Sequence, residues 1–174
     1  GPCAEAPRNG PGTAVDAAVF SCHVPEHRAR EPEERQGQRR EGQQLQLRIG
    51  KESRDRYNRV LAHGFLNNGD NVSARLLGDG LAFTIVRPPN LWGADCYRQA
   101  EQQARATGAG IWGGPAGVPQ PSASLSLRDQ GFRLVEGRVT RVGNSRDALW
   151  LNLEGKVALR IPRENLSYFP ESPA

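Results

Sequence analysis

Apolar and polar positions alternate most cleanly at Leu45, Leu47 and Ile49, with Gln46 and Arg48 between them, and this period of two predicts a half-buried strand. Residues 14–24 predict another, richest in apolar side chains from Ala17 to Cys22. A third is predicted over 59–65, opening on Val60-Leu61-Ala62, and Asn67-Asn68-Gly69-Asp70 after it carries a hairpin-turn signal. Residues 72–77 read as a short helix ending near Gly78. An apolar strand over 81–86 is halted by Pro88 and Pro89. Residues 94–107 read as a helix with Tyr97, Ala100, Ala104 and Cys96 on its inner face, and Gly108 and Gly110 stop it. Trp92 before it and Ile111-Trp112 after it are expected to anchor its ends. Residues 25–44, by contrast, hold no apolar side chain except Ala29. The stretch 31–41 has helix-forming composition but no stripe to bury, which predicts an exposed helix or disorder.

The last third of the chain reads differently. Residues 113–127 are rich in Gly, Pro and Ser, the composition of a linker. A strand is predicted over 132–142, with a turn at Gly143-Asn144-Ser145. Leu149, Leu151 and Leu153, then Val157, Leu159 and Ile161, predict a hairpin. A three-residue loop, Glu154 to Lys156, sets the leucines opposite the Val/Leu/Ile row; a two-residue loop would set them opposite Lys156, Ala158 and Arg160. The longer loop is preferred, because a slip of one residue changes which face meets which. These readings divide the chain into a leader over 1–13, a main domain over 14–114, a linker over 115–127 and a small β subdomain over 128–170.

Composition sharpens this picture. The 174 residues are 37% apolar with 20 Gly and 13 Pro, which excludes a helical bundle. No apolar run approaches membrane-spanning length. The net charge is +4, and residues 27–60, with ten Arg/Lys against six acids, carry an excess equal to that of the whole chain. Such a stretch suits a polyanionic partner, although its interspersed glutamates also fit a solvated loop. Gly1-Pro2 reads as a protease scar, so an export signal is expected to have been removed. Of the three cysteines, Cys3 and Cys96 are expected to form a disulfide that ties down the leader, leaving Cys22 as a buried thiol. A rival reading makes Cys3 a lipid-anchored first residue. Both place the protein outside the cytoplasm, periplasmic or secreted.

The chemistry concentrates in Asp55-Arg56-Tyr57-Asn58-Arg59, just before the strand that starts at Val60. A planar, permanently charged guanidinium at a strand edge is suited to gripping phosphate. Together with Leu61-Ala62, this run resembles the D-[KR]-Y-x-R-x-L-A signature of the staphylococcal nuclease-like (thermonuclease) family. Four further runs fall in the family's order: Gly69-Asp70-Asn71-Val72, Gly80-Leu81-Ala82, Arg87-Pro88-Pro89-Asn90 and Gly110-Ile111-Trp112. The resemblance implies a mainly β, α+β fold: a five-stranded OB-type barrel with helices around it, here with a small C-terminal antiparallel β meander. It implies phosphodiester hydrolysis of DNA or RNA assisted by Ca2+.

Carried over residue by residue, the resemblance makes Arg59 the phosphate contact that stabilises the transition state, with Arg48, Arg56 and Tyr57 as substrate-binding neighbours. The family's other motif, R-L-x-G-[IV]-D-x-P-E, has one candidate, residues 18–26. There Glu26 matches the general base, but Ala18 stands where the arginine belongs and His23 where the metal-binding aspartate belongs. Histidine is a poor ligand for calcium. Asp16 and Asp55 are the remaining candidate metal ligands. Thr84, Ile85 and Val86 stand in place of the nucleotide-flanking tyrosines. Two readings follow: an exported calcium-dependent endonuclease with weakened catalysis, or a non-catalytic binding module for nucleic acid, nucleotide or a protein partner.

Overall fold

The computed structural model describes Cys3, Ala17–Val19, Cys22–His23 and residues 44–169. The predictions for 25–43 therefore lie outside the described residues. The chain divides into two units, Gly1–Gly114 and Pro115–Ala174.

In the first unit, β1 (Ala17–Val19), β2 (Cys22–His23), β3 (Leu45–Arg54), β4 (Val60–Leu66) and β5 (Phe83–Thr84) combine with helices α1 (Val72–Gly78) and α2 (Ala94–Thr107). β4 is central: β1 pairs with it in parallel and β3 antiparallel. Shielded on both sides, it is buried without interruption from Leu61 to Phe65. β2 pairs separately with β5. These pairings trace a three-stranded sheet and a two-stranded one, and no closed barrel, among the described residues.

The elements depart from expectation in instructive places. The strand expected over 14–24 is two strands with different partners, β4 and then β5. The strand expected over 81–86 shrinks to Phe83–Thr84. The turn at 67–70, with Gly69 at φ +84°, closes on an antiparallel bridge between Phe65 and Asn71 as its hairpin signal implies, and then delivers the chain to a helix. Asn71 ends that turn as an N-cap, its side chain accepting from Ala74 N. β3 outruns its alternating core because its register shifts between Ile49 and Arg54. Within that bulge Asn90 supplies the missing partner. Its Oδ1 accepts from Glu52 N at 2.9 Å and its Nδ2 donates to Glu52 O at 3.2 Å. A side-chain amide thus replaces a strand neighbour.

α2 begins and ends as predicted, with Gly108 in the left-handed conformation at its C-cap. Leu77, Ala82 and Tyr97 form the core between α1 and α2, flanked by Trp92, Cys96 and Ala100. Each large side chain buried there contributes roughly 1.5–3 kcal/mol. Glu101 lies buried on the same helix. Its Oε2 accepts from Thr84 N at 2.7 Å and its Oε1 pairs with Arg105, tying α2 to β5. Cys3 and Cys96 form a disulfide with their Cα atoms 5.7 Å apart, within the usual span. No helix among the described residues is long and apolar enough to cross a membrane.

The second unit contains a meander of β8 (Val139–Asn144), β9 (Ala148–Leu153) and β10 (Ala158–Pro162), antiparallel in the order β10-β9-β8. Leu151 faces Leu159 and Leu149 faces Ile161, the register that the three-residue loop requires. A parallel pair, β6 (Gln120–Pro121) with β7 (Val135–Glu136), accompanies it. The strand expected over 132–142 is broken at Gly137, where a Cβ would lie 2.1 Å from Ser122 Oγ. Ser122, inside the segment expected as linker, is itself buried and donates to Glu154 O at 2.8 Å.

Candidate nucleic-acid interface

Residues 54–59 form a turn built around one carboxylate. Asp55 Oδ1 accepts from Tyr57 N at 2.8 Å and from Arg59 N at 3.0 Å. Its Oδ2 accepts from Arg59 Nε and Nη2, both at 2.7 Å. Asn58, at φ +64°, completes the reversal in a conformation that Asn tolerates better than most residues. Its carbonyl accepts from Arg54 Nη1 at 2.7 Å. Partial desolvation works to raise the Asp55 pKa, but hydrogen bonds from Arg59 and Tyr57 and the charge of Arg59 together hold it below the usual carboxylate value. The group stays ionised and its four donors stay engaged.

This fixes Arg59 without consuming it. Its side chain is 56% exposed, and Nη1 has no partner among the described residues. Tyr57 gathers the neighbouring charge: Arg56 lies 4.7 Å and Arg59 5.2 Å from its ring centroid, and Arg56 Nη2 donates to the Tyr57 hydroxyl at 2.5 Å. The turn thus presents two guanidinium groups on one exposed aromatic ring, while the Asp55 carboxylate is engaged by its own donors. Such a surface can hold a phosphodiester by charge and by directed N–H donors.

The remaining predicted site residues fall as follows. Ala18 of β1 is the register partner of Leu61, two residues beyond Arg59, so the strand bearing the altered motif runs beside the one that follows the turn. His23 pairs with Phe83 in the β2–β5 ladder. Glu26 and Asp16 lie outside the described residues. Arg48 sits farther along the sheet, opposite His63, with its guanidinium 4.4 Å from the centroid of Trp92. Asp55 and Arg59 share their contacts, whereas Arg48 does not join the turn. The described residues do not fit a calcium ion: they bring no three His, Cys, Asp or Glu together, and both oxygens of Asp55 are occupied by donors.

Sequence patterns did not single out the buried polar network behind the sheet. His63 Nδ1 lies 2.7 Å from the Tyr97 hydroxyl, which also accepts from Asn71 Nδ2 at 3.0 Å. Asn71 donates to the Tyr97 oxygen, and the His63 tautomer sets which way the proton lies in the His63–Tyr97 hydrogen bond. Burial, and then the charge of Arg48, push the His63 pKa down to about 4, so it is neutral at physiological pH. The one available signal was a histidine in the apolar run 60–65, which reads equally well as a core residue.

The sequence model of the family described as staphylococcal nuclease homologue matches residues 29–114. No curated protein matches the chain. The matched segment holds the Arg59 turn, both helices and the loop through Asn90, and residues 29–114 are a domain of the staphylococcal nuclease-like family.

Proposed function

We propose that this protein binds nucleic acid through the Arg59 turn and cleaves it weakly or not at all. A domain of this family points to a nuclease or nucleic-acid-binding role. The observation that carries the finer reading is the Asp55–Arg59 clamp, which aims a guanidinium outward on an exposed basic surface. The impairment rests on Ala18 and His23, which replace a phosphate clamp and a metal ligand. Losing one charge-stabilising donor costs about a hundred- to a thousand-fold in rate. In this reading the strands belong to a five-stranded OB-type barrel. Calcium binds weakly, and the protein works in the periplasm or outside the cell.

The discriminating assay is calcium-dependent cleavage of denatured DNA by the wild type and by Glu26→Ala. Turnover at or near background in both supports the reading. Robust cleavage that Glu26→Ala abolishes overturns the impaired-enzyme half of it and leaves the binding half to be tested separately.

A further inference from the structure

Beyond the Arg59 turn, β3 carries a second basic feature. Arg48, Lys51, His63, Pro89, Asn90 and Trp92 line a pocket of about 210 Å³. Its floor is the His63 ring, 4.7 Å from that of Trp92, and one wall is the Arg48 guanidinium laid on the indole. Asn90 is engaged with Glu52, and His63 with Tyr97. Arg48 and Lys51 remain for a ligand. Neither enters an ion pair among the described residues, whereas Arg59, Arg75, Arg98, Arg105, Arg133, Arg138 and Arg160 each do. The neutral imidazole adds no charge, so the pocket presents two cations and a flat π-surface.

That combination fits one ligand chemistry. A guanidinium backed by an indole offers its outer face as a flat, cationic platform for an aromatic ring. An ammonium beside it can neutralise a phosphate. A nucleobase can stack there only if its own face is free, which selects an unpaired strand over a duplex. The spacing agrees. His63, the register partner of Arg48, lies in β4 four residues after Arg59, which directly precedes that strand, so the two are at most about 13 Å apart along extended chain. A short single strand can span that distance.

We propose that this pocket is a second subsite, taking one nucleotide of the single strand whose phosphate Arg59 holds. The proposal rests on the reading of the Arg59 turn as a phosphate site, and its test separates the two. Labelled thymidine dinucleotide and hexanucleotide are titrated by fluorescence anisotropy in chelator, so that cleavage plays no part. The proteins are wild type, Arg59→Ala, Arg48→Gln and Lys51→Gln. Lys51 is exposed, so its replacement leaves the fold intact even if loss of the Arg48 stack disturbs it. The wild type should bind the hexanucleotide at least about tenfold more tightly than the dinucleotide. Lys51→Gln and Arg48→Gln should cut that ratio to about threefold or less and leave dinucleotide affinity unchanged. A length ratio that survives in both variants overturns the second subsite while the Arg59 reading stands. Dinucleotide affinity unchanged in Arg59→Ala overturns the Arg59 reading, and this proposal with it.

Discussion

His63 shows how one buried side chain couples stability to pH. It faces Arg48, Trp92 and Tyr97, a setting that accepts the neutral imidazole and penalises the charged one. Its pKa falls from 6.5 to about 4 on folding. The unfolded chain therefore takes up the proton first as pH drops. The stabilising contribution is complete above pH 6.5 and is lost as pH falls toward 4. Melting temperature should decline across that window in the wild type and decline less in His63→Gln. Equal slopes for the two proteins would show that His63 is not the titrating group.

At the scale of elements, the close approach of the α1 and α2 termini makes a sharp prediction. Gly80 has φ +69°, and a Cβ there would lie 2.0 Å from Ala109 O. The contact is held by Ile111 N donating to Gly80 O at 2.9 Å, which seats the 3-10 turn Gly110–Gly113. Gly78, two residues earlier, has open space around its Cβ position. Gly80→Ala should cost more than about 2 kcal/mol, through both backbone strain and overlap. Gly78→Ala should be neutral or slightly stabilising. Denaturant midpoints for the two variants check this, and similar values would count against the packing described.

Much at this scale was legible in the sequence. α2 could be placed because Tyr97 and Ala104 mark its inner face and Gly108 its end. The β9–β10 register followed from which residues must share a face. Three features were not legible. The division of 14–24 between β4 and β5 depends on partners distant in sequence. The break at Gly137 depends on Ser122, fifteen positions earlier, and the repair of the β3 bulge on Asn90. Local pattern records burial, whereas these features arise from long-range hydrogen bonds and steric contacts. The site divides in the same way. Asp55, Tyr57 and Arg59 were readable as a contiguous motif, while the Arg48–Trp92 stack joins residues that no spacing connects.

For the whole molecule, the disulfide is the one covalent constraint among the described residues of the first unit. It joins residues 93 positions apart. Reduction should lower the stability of that unit by roughly 2–4 kcal/mol, read as a shift of the denaturant midpoint with and without reductant. No shift would mean that the bridge is absent in solution.

Binding to a polyanion is also a property of the whole surface, since the excess of basic residues is concentrated in one part of the chain. Charge neutralisation releases counterions, so affinity should fall linearly with salt on logarithmic axes. The most direct test of the account is a salt titration of single-stranded oligonucleotide binding, comparing wild type with Arg59→Ala. The account predicts weaker binding in the variant, with the salt slope reduced by about 0.7 for the lost phosphate contact. Unchanged affinity and slope in Arg59→Ala would contradict it.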